Sequence, residues 1–158
     1  MTSPSTFPSV LRELLRTHQA FLSYAACHVH KFDLTLPQFD VIITLGNTSG
    51  MPYKKLGEET LITKGTLTGV ISRLEDKGLV QRLASETDGR SQIIRLTEAG
   101  NDLFERTFPE HLHFINQLFN NYSPEDITIL EAVLVKLREA VIEARSNGGE
   151  KLAVETNE

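Results

Sequence analysis

Ile62-Thr63-Lys64-Gly65-Thr66-Leu67-Thr68-Gly69-Val70-Ile71-Ser72-Arg73-Leu74-Glu75-Asp76-Lys77-Gly78 places Leu67, Val70, Ile71 and Leu74 at i, i+3, i+4 and i+7, the spacing of the buried stripe of an amphipathic helix. The helix is predicted from Thr63 to Lys77, with Gly78 in the position that ends it. At about 100° per residue, Gly65, Gly69, Ser72 and Asp76 fall opposite the stripe, with Lys64, Thr66, Thr68 and Arg73 on its flanks. Each of the two glycines, one turn apart on the solvent side, costs about 1 kcal/mol relative to alanine. Glycine and threonine leave a slim surface suited to a major groove, where hydroxyls bond base edges, threonine methyls touch thymine, and Lys64 reaches guanine or phosphate. The helix N-terminus adds an attraction for phosphate. Taken alone, the segment also reads as a poor helix with tolerated glycines, so its surroundings decide.

On the N-terminal side stand a short helix, Tyr53 to Glu59, and the turn Thr60-Leu61-Ile62. On the other side, Leu79 to Ala84 and Gln92 to Leu96 read as two strands of a hairpin, joined through Ser85 to Ser91, whose Asp88-Gly89 is a turn signal. This order puts Lys54, Lys55, Lys64, Arg73 and Arg90 where backbone contacts of a DNA-binding helix-turn-helix are expected. Further out, Leu11, Leu14, Leu15, His18, Leu22, Ala25 and Val29 recur at steps of three or four along a long first helix. A second helix starts near Pro37 and closes at the turn residues Gly46 to Gly50. After the hairpin, Thr97 caps a helix in which Leu103, Phe104, Phe108, Leu112, Ile115, Leu118, Phe119 and Tyr122 sit mostly at helical spacing, with Pro109 inside it as a kink. Ser123-Pro124-Glu125-Asp126 opens a last helix with a capping serine, a proline at the first position and acids in the first turn. Asn147-Gly148-Gly149 and the polar residues around them suggest a mobile tail.

The chain has 158 residues, 40% hydrophobic and 23% charged, the composition of a globular domain with a core of its own. Its net charge of −5 argues against a generally basic nucleic-acid binder, but the charge is unevenly spread. Residues 53–96 hold eight basic and six acidic side chains, a net +2, whereas residues 97–158 hold five and twelve, a net −7. The middle third is the only positive part. A single cysteine, Cys27, excludes an internal disulfide. No apolar run approaches the roughly 20 residues that span a bilayer, and residues 1–20 lack a signal-peptide pattern, so a cytoplasmic protein without membrane contact is expected. No serine–histidine–acid order, phosphate loop or paired-carboxylate motif points to an enzyme. Neither a cofactor nor a resident metal is expected.

Leu36-Pro37-Gln38-Phe39-Asp40, the run from Ile62 through Arg82, Asp88-Gly89-Arg90 and Leu96-Thr97-Glu98-Ala99-Gly100 together resemble the MarR family of bacterial transcriptional regulators, over about residues 9–145. The fold expected is mainly α with a small β-hairpin wing (α+β): a winged helix-turn-helix with helical dimerisation arms. Its expected divisions are an N-terminal dimerisation arm at 1–35, a DNA-binding domain at 36–100, C-terminal dimerisation helices at 101–145 and a flexible tail at 146–158. The resemblance implies an obligate homodimer on a pseudo-palindromic double-stranded operator, usually repressing. Thr63 to Thr68 would enter the major groove, and Arg90 at the wing tip the minor groove, with Asp88 orienting its guanidinium. The candidate DNA-binding residues are therefore Lys54, Lys55, Thr63, Lys64, Gly65, Thr66, Thr68, Arg73, Asp88 and Arg90. An arginine on a hairpin tip suits a narrow minor groove, where negative potential is concentrated, and a carboxylate two residues away can hold its fork.

The same resemblance implies release from DNA by a small effector, often a phenolic or aromatic acid, bound in a crevice between the dimer arms and the DNA-binding lobe. Tyr24, His28, Phe32, Phe39, Asp40 and His111 are the candidate lining residues, although each also suits ordinary packing. Two metal or redox alternatives stay open at this point: convergence of His28, Asp40 and His111 on zinc, as in a zinc-responsive branch of the family, and Cys27 as a peroxide-sensing thiol. A further alternative is a winged-helix module that binds protein and not DNA. Arg90→Ala is expected to weaken operator binding by roughly 1–3 kcal/mol, the scale of a good groove contact. Titration of a labelled operator fragment measures this directly, and an unchanged affinity would remove Arg90 from the interface.

Overall fold

The computed structural model describes residues 7–84 and 92–155. The chain forms two compact units, Met1–Ile115 and Asn116–Glu158. In the first, α1 (Phe7–Val29) runs into a 3-10 turn (His30–Phe32). Then come α2 (Leu36–Leu45), β1 (Met51–Pro52), α3 (Tyr53–Glu59), α4 (Lys64–Asp76), β2 (Val80–Ala84), β3 (Gln92–Leu96) and α5 (Glu98–Asn116). This mainly helical chain with a small antiparallel sheet is the winged-helix arrangement expected from the sequence.

Local chemistry sets the boundaries. Thr35 and Gln38 form a reciprocal capping box at the start of α2: Gln38 N–H donates to Thr35 Oγ1 at 3.4 Å, and Thr35 N–H donates to Gln38 Oε1 at 3.0 Å. Gly78 takes φ +69°, and the bonds Gly78 N–H to Glu75 O (2.8 Å) and Leu79 N–H to Leu74 O (2.9 Å) make the paired C-terminal cap that only a left-handed residue allows. That cap returns the chain toward the sheet. β2 and β3 pair antiparallel from Val80↔Leu96 to Ala84↔Gln92, as the hairpin reading requires. The connection holding Asp88, Gly89 and Arg90 lies outside the described residues. β1 is a third strand not foreseen in the sequence. It pairs Met51↔Ile94 and Pro52↔Ile93, giving the order β1-β3-β2.

The core is built from α2 (Phe39, Val41, Ile42, Leu45), Leu56 of α3, the α4 stripe, Val80, Ile94 and Leu96 of the sheet, and Leu103 and Phe104 of α5. Leu67, Ile71 and Leu74 are wholly inaccessible to solvent and Val70 nearly so, as their spacing demands. α5 packs so closely that a side chain on Gly100 would place its Cβ 2.0 Å from Leu79 O, and one on Gly46 would place it 2.3 Å from the Phe104 ring. Thr97 locks the same junction. Its hydroxyl donates to Gly78 O (2.6 Å) and accepts from Gly100 N–H (3.1 Å), while Thr97 N–H donates to Leu79 O (3.0 Å). The α5 helix runs through Pro109 to Asn116.

In the second unit a 3-10 turn (Gln117–Phe119) precedes α6 (Pro124–Glu155). Ser123 caps α6, accepting from Asp126 N–H at 3.1 Å. The helical backbone continues past Ser146 to Glu155, a stretch the sequence reading gives to a tail. Gly148 and Gly149 weaken a helix by about 1 kcal/mol each but do not forbid it, and the helix formers that follow, Glu150 to Val154, extend it. Ile129, Val133, Leu134, Val141 and Ile142 of α6 are all exposed, as are Leu15 and Phe21 of α1. Among the described residues no helix is long and apolar enough to cross a membrane.

Gly100→Ala is expected to lower unfolding free energy by roughly 1–3 kcal/mol or more, since the added methyl meets a backbone oxygen that cannot move alone. Urea unfolding measures the loss, and wild-type stability in this variant would contradict the close approach.

Candidate nucleic-acid interface

α3 and α4 are held at a fixed angle by apolar contacts at their crossing: Leu56 and Leu67 are both fully buried, and Gly57 leaves room for the Leu67 side chain, whose Cδ2 would lie 3.2 Å from a Cβ there. With the stripe of α4 turned inward, the residues left on its outer side are the ones singled out in the sequence. Thr63, Lys64, Gly65, Thr66, Thr68 and Arg73 are exposed, as are Lys54 and Lys55 on α3. Asp88 and Arg90 lie outside the described residues.

The glycines are informative. A Cβ on Gly65 would meet nothing within 4 Å, and one on Gly69 would meet only the tip of Arg73 at 3.8 Å. Neither glycine has a left-handed backbone. Nothing among the described residues therefore requires glycine at these two places, in contrast to Gly46, Gly78 and Gly100. They keep the outer face of α4 low.

Hydrogen bonds order the hydroxyls on that face. Thr63 Oγ1 and Thr66 Oγ1 bond each other at 3.0 Å, and Thr68 Oγ1 bonds Tyr53 Oη of α3 at 2.7 Å. Thr63 is the N-cap residue of α4, yet its side chain makes no capping bond; its carbonyl accepts from Thr66 N–H at 2.9 Å and Leu67 N–H at 3.1 Å, and the helix start keeps the amides of Lys64 and Gly65 as outward donors. The charges divide into two sets. Arg82 is spent on Glu75 (2.8 Å) and Ser72 (3.2 Å), and Lys77 on Asp33 (2.8 Å). Among the described residues, Lys54, Lys55, Lys64 and Arg73 have no carboxylate partner within 4.0 Å. Tyr53 and Arg82 were not singled out in the sequence, because a tyrosine that orients a threonine fifteen positions on has no local signature.

Behind the start of α4 lies a cavity of about 440 Å³, lined by Phe21, Leu22 and Ala25 of α1, Leu36, Phe39, Asp40 and Ile43 of α2, Leu61 and Ile62 of the turn, Thr63 and Thr66 of α4, and His111 of α5. Of the six candidate effector residues, Phe39, Asp40 and His111 line it. Tyr24, His28 and Phe32 do not; they form the layer behind. Tyr24 stacks on Phe114 with ring centroids 4.3 Å apart, and its hydroxyl donates to Phe114 O at 3.1 Å. His28 is buried between Phe114, at 4.4 Å, and Phe32, at 5.1 Å edge-on. The apolar lining from Phe21, Leu22 and Leu61 was missed, since such residues carry no chemical label in a sequence.

Two imidazoles meet there: His28 Nδ1 and His111 Nδ1 are 3.1 Å apart, and His28 Nε2 is 3.3 Å from Glu110 Oε1. Burial, reinforced by the His28 charge, holds His111 below the usual histidine value. Asp40 does not join the pair. Its Oδ2 accepts from Leu61 N–H at 2.8 Å, and burial pushes its carboxyl above the usual carboxylate value, against the opposing pull of that bond. Among the described residues, no three of His, Cys, Asp or Glu are arranged to hold a metal ion, so the convergence considered for His28, Asp40 and His111 is limited to the two histidines. Cys27 is exposed and unpaired by any disulfide.

The arrangement matches known proteins throughout. Residues 34–92 fit the MarR family model. The organic hydroperoxide resistance transcriptional regulator of Bacillus subtilis (strain 168) is 31% identical over 136 residues, covering 80% of this chain and 91% of that protein. The HTH-type transcriptional regulator MhqR of the same organism is 29% identical over 124 residues, covering 78% and 86%. Among solved structures, AbsC, a MarR family transcriptional regulator from Streptomyces coelicolor, superposes with a TM-score of 0.79 at 25% identity, covering 90% of this chain and 99% of that one. With a winged helix-turn-helix of this geometry and relatives of this similarity along most of its length, the chain belongs to the MarR family of DNA-binding transcriptional regulators.

Proposed function

We propose that this protein is a repressor that binds a pseudo-palindromic operator as a homodimer and leaves it when a small apolar effector occupies the cavity behind α4. The observation that carries the reading is the pair Gly65 and Gly69 on the outer side of a helix, where a Cβ would meet nothing at Gly65 and only the tip of Arg73 at Gly69. Alanine at both would strengthen the helix by about 1 kcal/mol each; an outside surface that must come close to the backbone accounts for their presence. Duplex DNA is such a surface. In this reading Thr63, Lys64, Gly65, Thr66 and Thr68 read the major groove. Lys54, Lys55 and Arg73, without a carboxylate partner among the described residues, hold phosphates, and Arg90 with Asp88 probes the minor groove. The acidic residues from 97 onward repel DNA and favour a single docking orientation.

Two copies are needed, because a pseudo-palindrome presents its half-sites about 34 Å apart. The exposed apolar residues of α1 and α6 support pairing through residues 1–35 and 101–145, since faces of this kind on a soluble chain mark association surfaces. The cavity supports effector control for a different reason. Thr63 and Thr66 line it and also stand on the DNA-reading end of α4, so a ligand that shifts them shifts the reading surface. Such a ligand releases DNA only by binding better to a form whose helices misfit the operator.

Gly65→Ala and Gly69→Ala are each expected to raise unfolding free energy by about 0.5–1 kcal/mol while lowering operator affinity by roughly 1–3 kcal/mol. Denaturant unfolding and operator titration, run on the same preparations, separate the two effects. A stabilised variant with full affinity would refute groove entry. Binding should also weaken steeply with salt, and Lys64→Ala should flatten that dependence by about one unit of slope. A protein that retards no intergenic fragment at any salt concentration would be a protein-binding module instead.

A further inference from the structure

We propose that the cavity behind α4 is built for a hydrophobic amine: an apolar body carrying one protonated amino group, held by Asp40. The inference rests on the effector role given to that cavity above and specifies the chemistry of its ligand. Apart from Asp40 and His111, its lining is apolar or hydroxyl-bearing, and neither lysine nor arginine contributes to it. The volume of about 440 Å³ lies within the range of small-molecule sites.

The one acidic group on this wall, Asp40, is an acceptor. Asp40 gives one oxygen to Leu61 N–H at 2.8 Å, and its other oxygen and remaining lone pairs are free for a second donor. At His111 the ring is already engaged: its Nδ1 lies 3.1 Å from His28 Nδ1, so one of its two nitrogens is spent within the protein and only Nε2 is left for a ligand. Burial holds this ring below the ordinary histidine value, which disfavours a positive charge on it. Thr63 and Thr66 share one hydrogen bond at 3.0 Å, which leaves one of their two hydroxyls a proton to donate.

A carboxylate placed here would stand beside a second carboxylate in apolar surroundings with no counter-ion, an arrangement that desolvation and like charge both oppose. A protonated amine has three donors and the opposite charge. The aromatic acids suggested by the family resemblance are thus the wrong charge for this chain. Burial pushes the Asp40 carboxyl upward, and a bound cation relieves that strain on its ionised form.

The test uses the full-length protein and three ligands with one apolar body: 2-naphthylmethylamine, 2-naphthalenemethanol and 2-naphthoate, titrated calorimetrically at pH 7.5. The amine is expected to bind tighter than the alcohol by about tenfold or more, the scale of one charge-assisted hydrogen bond, and the carboxylate weakest of the three. Asp40→Asn, which can still accept from Leu61 N–H, is expected to bring the amine down to the level of the alcohol and leave the alcohol unchanged. The wild-type protein gives a second measurement that needs no variant. Its affinity for the amine should fall as pH is lowered and Asp40 takes up a proton, with protonation of His111, and of His28 beside it, adding repulsion in the same direction; protonation of Glu110 removes an anion and also disfavours the cation. The alcohol should show little of this dependence. Naphthoate binding as tightly as the amine, or an amine preference that survives in Asp40→Asn, overturns the charge selection while leaving the effector site standing. Failure of all three to bind overturns the effector site itself, and this inference with it.

Discussion

Burial of Leu67, Val70, Ile71 and Leu74 on one side of α4 decides everything else about this helix, because thirteen residues in a rigid rod can hide only one stripe. At about 25 cal/mol per Å² of apolar surface, four aliphatic side chains taken out of water outweigh the loss that two interior glycines impose. The glycines can therefore sit on the far side without unravelling the helix. The orientation of the outer face follows from the inner one, and the threonines, Lys64 and Arg73 come to solvent without any interaction of their own placing them there.

The parts of the fold governed by near neighbours could be read directly from the residues. The stripe and the Gly78 stop of α4, the capping at Thr97 and Ser123, and the two short strands Val80–Ala84 and Gln92–Leu96 are all carried by short-range signals. Other parts depend on partners far along the chain. β1 has only two residues, one of them Pro52, and exists as a strand because β3 accepts it as an edge neighbour; no pattern so short can announce itself. The Thr35–Gln38 capping box was within local reach, since Thr-x-x-Gln before an apolar run is a known start signal, and it places the start of α2 more closely than Pro37 does. At Gly148 and Gly149, reading glycine as a terminator overlooked the helix formers beyond.

The interface and the cavity differ in the same way. Charged and hydroxyl residues on α3 and α4 advertise their chemistry, and their exposure is the expected one. The cavity draws on α1, α2, the turn, α4 and α5 at once, so no single stretch of sequence outlines it, and of the six candidate residues three line it. Asp40 shows why. Its neighbour Leu61 stands 21 positions away and contributes only a backbone amide, a donor that every residue but proline carries and that no sequence distinguishes. The consequence is that the turn before α4 is tethered to α2 by a side chain that also faces the cavity.

Thr97 brings a mechanical consequence. One hydroxyl, together with its own amide, joins the exit of α4 at Gly78 and Leu79 to the entry of α5 at Gly100, and the bare α-carbon of Gly100 lets the two segments seat against each other with no intervening side chain. A joint of this kind couples the two helices through the backbone itself, so that the exit of α4 and the entry of α5 are seated as one piece and neither can be displaced without breaking these bonds.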